Sequence, residues 1–206
     1  MSEDNLKTVI EALLFSSDKP LTLEQLKGAL DNLDTSLLRK LIEELGQEYE
    51  NTNRGIRINE IAGGFQMVTA PFSAPFLKKL YRQKRVEKLS KPALETLAMI
   101  AYKQPVTKTE IESLRQVNVD GVIKSLADKD LIRIAGRKKA PGRPHVYGTT
   151  RQFLEYFGLK SLEQLPKIEN FQNPANSNTP PSAELGGSIP VDKETKDEVK
   201  EPAPAN

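Results

Sequence analysis

The chain of 206 residues has no cysteine and carries 30 Lys and Arg against 28 Asp and Glu. The absence of cysteine excludes disulfides and thiolate metal sites and is compatible with a reducing compartment. No apolar run approaches the roughly 20 residues that span a bilayer, and the acidic start lacks the basic and apolar regions of a secretory signal, so we expect a cytoplasmic protein.

The two halves of the chain open on the same pattern. The segments EALLFSSDKPLTLEQLKGAL and LETLAMIAYKQPVTKTEIESLR each give an apolar helix, a Pro, an apolar residue, a Thr and an amphipathic segment. The prolines Pro20 and Pro105 and the threonines Thr22 and Thr107 share one offset of 85 residues. We therefore predict one structural unit that is used twice.

Each Thr in this pattern has a physical role at the start of a helix. Thr22 is followed three residues later by Gln25, and Thr107 by Glu110. In a capping box the hydroxyl accepts from an exposed backbone amide while the residue three positions on reaches back. The second helix of each unit is therefore predicted to begin just after its Thr.

A third amphipathic helix and two short β-prone segments follow in each unit. The strand candidates are GIRINEI and FQMVT in the first unit, and LIRIAGR and HVYGTT in the second. The apolar positions that recur at helical spacing are Leu37, Leu38, Leu41, Ile42 and Leu45 in the first unit and Val119, Val122, Ile123 and Leu126 in the second.

Three helices followed by a hairpin is the order of a winged-helix domain. The predicted fold class is therefore mainly α with small β wings (α+β), as two tandem winged-helix domains. We place the first domain at 1–80, a linker at 81–90, and the second domain at 91–166. Residues 167–206 are rich in Asn, Pro, Ser, Glu and Lys with few apolar residues, so a disordered tail is predicted.

Net charge near zero conceals a strong partition along the chain. Residues 1–77 hold 7 Lys or Arg against 12 Asp or Glu, residues 78–151 hold 18 against 7, and residues 152–206 hold 5 against 9. Basic clusters at 78–88 and 133–143 account for much of the positive balance. The second unit and the segment before it thus form a basic region on an otherwise acidic protein.

A basic hairpin on a winged-helix unit suggests contact with DNA, because Lys and Arg contacts to phosphates supply most non-specific affinity. The exposed face of the third helix in the second unit argues against readout of base edges, since Asp120 and Asp128 would meet phosphates. Weak non-specific DNA contact therefore stays open. The alternative function is a winged-helix DNA-binding or transcriptional regulator that acts through the basic second domain, and a merely solvated basic surface is equally compatible.

No catalytic, cofactor or metal site is predicted. The one histidine, His145, lies in a β-prone run, where an edge-strand or surface position is favoured over a general base. The Gly-containing turns lack the spacing of a phosphate-binding loop. We therefore expect a protein that works by binding and is not an enzyme.

Long segments of the chain resemble segregation and condensation protein B of bacteria. They are VIEALLFSSDKPLT, LSKPALETLAMIAYKQPVTKTEIESLR and the following VNVDGVIKSLADKDLIRIAGRKKAPGRPHVYGTTRQFLEYFGLKSLEQLP. The resemblance covers about residues 5–166. It is most specific in GRPHVYGTT and in FLEYFGLKSLEQLP.

The resemblance implies a non-enzymatic subunit of the bacterial condensin-like complex, which also contains an SMC ATPase and the kleisin ScpA. Such proteins act in chromosome condensation and segregation at cell division, and are nucleoid-associated through the complex. They are homodimers built from two winged-helix domains, so the first unit is expected to dimerise and the second to grip ScpA. The side chains that we expect at the partner contact are Arg115, Lys124, Arg137 and Arg143.

The chain departs from the family's pattern at three positions. The family commonly has Gly where this chain has Gln116 and Asp130, and an apolar residue in place of His145. Gly permits a positive φ, which Asp tolerates better than most residues and Gln tolerates poorly. A local change is therefore expected in the turn between the second and third helices of the second unit.

Overall fold

The computed structural model describes residues 3–81 and 88–167. The first unit contains α1 (Glu3–Ser16), α2 (Leu23–Ala29), α3 (Thr35–Asn51), β1 (Ile56–Ile61), β2 (Gly64–Thr69), a 3₁₀ turn (Pro71–Ser73) and α4 (Ala74–Leu80). The second contains α5 (Lys91–Lys103), β3 (Val106–Thr107), α6 (Lys108–Arg115), α7 (Asp120–Asp128), β4 (Ile132–Arg137), β5 (His145–Thr149), α8 (Arg151–Phe157) and a 3₁₀ turn (Leu162–Gln164). The chain is helix-rich with small sheets, as predicted. Most of the predicted linker (82–87) and tail (from 168) lies outside the described residues.

Both predicted capping boxes are present. Thr22 Oγ1 accepts from the amide of Gln25 at 3.3 Å, and Gln25 Oε1 accepts from the Thr22 amide at 2.9 Å. In the second unit, Thr107 Oγ1 accepts from the Glu110 amide at 3.3 Å, and Glu110 Oε2 accepts from the Thr107 amide at 2.8 Å. Four amides that would lack a helical partner are thus satisfied at the starts of α2 and α6. Ser90 caps α5 in a simpler way, by accepting from the amide three residues later.

Each unit has its own hydrophobic core. In the first unit the buried side chains are Ile10, Leu14, Leu26, Leu30, Leu38, Leu41, Ile42, Leu45, Tyr49 and Phe65. In the second, the fully buried side chains include Leu97, Ile100, Ile111, Val119 and Leu126. The apolar stripes predicted for α3 and α7 supply part of these cores, because side chains at helical spacing share one face.

A small antiparallel sheet closes each unit. β1 pairs with β2, and Leu21 adds a bridge to Phe65 through two backbone hydrogen bonds of 2.9 and 2.8 Å. Gly64 is required beside that bridge, since a Cβ there would lie 2.7 Å from the Leu21 carbonyl oxygen. In the second unit the strand order is β3-β5-β4, with a bulge in β4 between Ile134 and Gly136.

The second sheet contains a third strand, β3, that the sequence analysis did not predict. His145 opens β5, which lies between β3 and β4, but β3 does not extend to His145, which pairs with Arg137 of β4 alone. β3 has only two residues, and its pairing with Tyr147 and Val146 is not encoded by any local pattern. The histidine is half-buried, and its Nδ1 has no hydrogen-bond partner in the described part of the chain.

The two units contact each other at the end of β1, at the turn that follows it, and at Pro20. The contacts join the Ala62 amide to the Leu159 carbonyl at 2.9 Å, Lys160 Nζ to Glu60 Oε2 at 2.7 Å, and Arg151 Nη2 to the Pro20 carbonyl at 3.0 Å. Partial burial raises the pKa of Glu60, but hydrogen bonds from Lys160 and Arg39 outweigh it and hold the pKa below its usual value. Backbone and charged groups thus supply these contacts between the units.

Candidate partner-binding surfaces

Arg115, at the end of α6, faces the protein interior. Its Nη1 donates to the Pro92 carbonyl at 2.9 Å and to Thr96 Oγ1 at 2.7 Å, and its Nη2 lies 2.6 Å from Glu95 Oε2. The side chain is only 10% exposed. These bonds attach α6 to the first turns of α5, so the structure assigns Arg115 a structural role that the sequence did not reveal. A partner contact at Arg115 stays a prediction.

The turn after Arg115 contains a residue in the left-handed conformation. Gln116 has φ 54° and ψ 27°, in the left-handed region, and its amide donates to the Glu112 carbonyl at the end of α6. Asp130 also has a positive φ of 54°. Both are positions at which the resemblance described above implies Gly, whose missing Cβ removes the steric cost of this conformation.

The other three predicted contact residues are exposed. Lys124 lies on the outer face of α7, and Arg137 and Arg143 lie on the β4–β5 hairpin. Arg137 Nη1 donates to the Arg143 carbonyl at 3.4 Å, which ties the two sides of the loop together. The four predicted residues are thus divided between an internal helix junction, an open helix face and a hairpin.

The β4–β5 hairpin concentrates positive charge. Residues 131–150, which we call the basic hairpin, include Arg133, Arg137, Lys138, Lys139 and Arg143 and no Asp or Glu. Every residue of β4 after Ile132 is exposed. The loop is held by its backbone, with the Lys138 amide donating to the Pro144 carbonyl and the Arg143 amide to the Ala140 carbonyl, each at 2.9 Å.

Two ion pairs at α6 and α7 fix charges beside this hairpin. Lys138 Nζ lies 2.5 Å from Glu110 Oε1, and that ammonium, together with the Thr107 amide and hydroxyl, lowers the pKa of Glu110 to about 2. Lys108 Nζ lies 2.5 Å from Asp120 Oδ1, and this bond holds the pKa of Asp120 below its usual value. Both carboxylates are therefore ionised at neutral pH, as the shifts favour the charged form.

The first unit exposes an apolar stripe that the sequence analysis did not identify. Phe72, Phe76 and Leu80 are 61%, 69% and 72% exposed. They follow one another at spacings of four along the 3₁₀ turn and α4, so they lie along one side of this helical segment. The regular spacing of four was visible in the sequence, and only the structure shows that no core covers these side chains.

The described residues contain no cluster of metal-binding side chains. Within 3–81 and 88–167, no three His, Asp or Glu side chains converge in a way that would bind a metal ion. Over the same residues, no helix combines the length and the apolar character that crossing a bilayer requires.

Residues 8–168 match the family model of the segregation and condensation complex subunit ScpB. This chain belongs to the ScpB family. It is 48% identical over 171 residues to segregation and condensation protein B of Syntrophotalea carbinolica, an alignment that covers 83% of this chain and 86% of that protein. It is 44% identical over 187 residues to the Moorella thermoacetica protein of the same name, covering 91% of this chain and 94% of the relative.

A solved structure of part of an ScpB protein also matches. It is a dimer of the ScpB N-terminal domain complexed with an ScpA peptide, and it is 37% identical to this chain. The match covers 37% of this chain and 95% of that one, with a TM-score of 0.35. The family assignment rests on the full-length relatives, whose alignments extend over both units.

Proposed function

We propose that this protein is a non-enzymatic, homodimeric ScpB subunit that binds the kleisin ScpA and, through it, an SMC ATPase. Its role would be in chromosome condensation and segregation at cell division, in the cytoplasm and at the nucleoid. The observation that carries the proposal is the family match over residues 8–168, supported by relatives more than 40% identical over most of both chains.

Both units are proposed to be winged-helix domains, at 1–80 and 91–166, joined by the linker at 81–90. The order of elements supports this assignment, because three helices precede a two-stranded hairpin in each unit. The short β3, which pairs with β5, and the bridge from Leu21 to Phe65 occupy equivalent places before the second helices of the two units.

Dimerisation is proposed to use the first unit, with the stripe of Phe72, Phe76 and Leu80 at its centre. Isolated exposed apolar side chains are ordinary on protein surfaces, but a contiguous apolar patch marks an interaction site. A twofold dimer brings the same patch of both subunits together. Burying an exposed Phe or Leu contributes about 1.5–3 kcal/mol, so this stripe supplies a substantial share of a dimer contact.

The second unit is proposed to grip the kleisin, with Lys124, Arg137 and Arg143 at the edge of the contact and Arg115 retained as a predicted residue. Peripheral charges tune the orientation and rate of binding more than its affinity. The solved complex described above pairs an ScpA peptide with a dimeric N-terminal domain of another ScpB. The test must therefore separate the contributions of the two units.

The test is light scattering after size exclusion, on the full chain alone and mixed with the ScpA of the same cell, at physiological salt. The proposal expects a dimer alone and a defined complex of two subunits with one kleisin. Phe76→Ser should weaken the dimer by about 2 kcal/mol per protomer. Phe15→Ser is the matched control, because Phe15 is 74% exposed in the same unit but lies on α1.

Separate outcomes contradict separate parts of the proposal. A monomer that does not bind ScpA would refute the adaptor function as a whole. A dimer that is broken by Phe15→Ser and not by Phe76→Ser would move the dimer contact to α1. Normal ScpA binding by a protein with Lys124→Glu and Arg143→Glu would remove the second unit's charged residues from the contact.

A further inference from the structure

We propose that the basic hairpin is a binding surface for the backbone of duplex DNA, without sequence preference. The proposed kleisin adaptor does not require this activity. The two proposals share Arg137 and Arg143, whereas Arg133 and Lys139 belong to the DNA proposal alone. The argument for DNA rests on the charge of the hairpin, on its shape, and on the face of α7 beside it.

The charge on the hairpin is largely uncompensated. Lys138 is paired with Glu110, but no carboxylate in the described residues lies within 4.0 Å of Arg133, Arg137, Lys139 or Arg143. All four side chains are exposed. Cations that are exposed and unpaired can replace the counterions of a phosphodiester backbone, and the release of those counterions drives non-specific binding.

The shape of the hairpin suits a groove better than a flat surface. A bulge between Ile134 and Gly136 shifts the register of β4 by one residue. Because side chains alternate along a strand, this shift places Arg133 and Arg137 on opposite faces of the ribbon. A narrow ribbon with cations on both faces can contact the two phosphodiester strands that border a groove.

The hairpin has few apolar anchors for the centre of a protein interface. Ile134, which is 54% exposed, is the one large apolar side chain of the basic hairpin that lies mostly in solvent. Protein interfaces depend on a few buried, well-packed anchors at their centre. Phosphate contacts need charge and hydrogen-bond donors, which the hairpin has, and no apolar pocket.

The face of α7 explains why the contact would not read sequence. Asp120, which is paired with Lys108, and Asp128 lie on the exposed side of this helix. Their carboxylates would be repelled by phosphates if α7 entered the major groove. The contact is therefore confined to the hairpin, whose cations meet phosphates, and phosphate contacts carry no sequence information.

The test measures the fluorescence anisotropy of a labelled mixed-sequence duplex of about 24 base pairs as the full chain is added. Titrations at several KCl concentrations between about 50 and 200 mM give the salt dependence that reports counterion release. With four free cations, log Kobs should fall with log salt at a slope of about −3 to −4 per hairpin. Arg133→Gln with Lys139→Gln should reduce the magnitude of this slope by about 2. Lys19→Gln with Lys27→Gln removes the same charge from the first unit and should leave the slope unchanged.

The variants separate this inference from the kleisin proposal. Arg133 and Lys139 are not among the predicted ScpA contacts, so their replacement should leave ScpA binding intact. The inference is overturned by no binding at low salt, by an unchanged slope in the hairpin variant, or by an equal change in the control variant. Preference for one DNA sequence would overturn it too, as would equal competition by a polyglutamate peptide of matched charge, which would indicate an acidic protein partner.

Discussion

Replacing Arg115 by Ala tests whether this side chain supports the fold of the second unit. The change removes hydrogen bonds to the Pro92 carbonyl and to Thr96, and the ion pair with Glu95. A hydrogen bond that involves a charged group contributes about 1.5–3 kcal/mol, and a half-exposed ion pair adds about 0.2–1 kcal/mol. Thr96 Oγ1 still donates to the Pro92 carbonyl at 2.9 Å, so the buried hydroxyl keeps one partner. Because these contacts share one guanidinium, their contributions do not add in full, and we expect a loss of about 2–3 kcal/mol in the free energy of unfolding.

Thermal and urea unfolding of the full chain measure this loss. For a unit of this size, 1 kcal/mol corresponds to about 4–8 °C, so the transition of the second unit should fall by about 10–20 °C. Arg115→Lys should lose less stability than Arg115→Ala, because the ammonium keeps the positive charge but cannot form the same set of hydrogen bonds as the planar guanidinium. Arg143→Ala is the matched control, since the hydrogen bond of Arg143 to Arg137 uses its backbone carbonyl. Unchanged unfolding together with lost ScpA binding in Arg115→Ala would refute the structural role and favour the partner contact predicted from the sequence.

Two further predictions concern backbone strain and pH. Gln116→Gly should stabilise the protein by about 0.5–1 kcal/mol, because the left-handed conformation costs a non-Gly residue about 1–2 kcal/mol, and the greater entropy of Gly in the unfolded chain cancels part of the gain. Urea midpoints measure the change, and Asp130→Gly should be stabilised less. A loss of stability in Gln116→Gly would contradict the reasoning. Glu110 has a pKa near 2, below its unfolded value of 4.5, because of the ammonium of Lys138 and the hydrogen bonds of the capping box. The stability it contributes is therefore present above pH 4.5 and is lost as the pH falls from 4.5 towards 2. Glu110→Gln should flatten the fall in melting temperature over this range, and parallel curves for the two proteins would show that the carboxylate does not contribute.

Much of the local structure could be predicted from the sequence. The two capping boxes, the apolar stripes of α3 and α7, and the four longer strands follow from residue types within a few positions of one another. The repeat with an offset of 85 residues then predicted that the second unit would copy the order of the first. Such signals are readable because they act within one turn or one strand.

The candidate surfaces were less predictable, and the reason is physical. Composition located the basic hairpin, since charge does not depend on packing. The stripe of Phe72, Phe76 and Leu80 could not be recognised, because an apolar helix face has the same sequence pattern whether a core covers it or not. The third strand of the second sheet, β3, was missed because its two residues are too few to form a recognisable pattern.

The sequence by itself determined the family, the repeated unit and the starts of its helices, because these depend on residue identities and on interactions between near neighbours. The tertiary structure decided which partners the long side chains contact and which turns meet across the two units. Arg115 turns inward because Pro92, Glu95 and Thr96 supply acceptors on a helix about 20 residues earlier in the chain, a spacing that no local pattern records. The contact of the Ala62 amide with the Leu159 carbonyl likewise joins two units that are far apart in sequence, and only their packing brings these groups together.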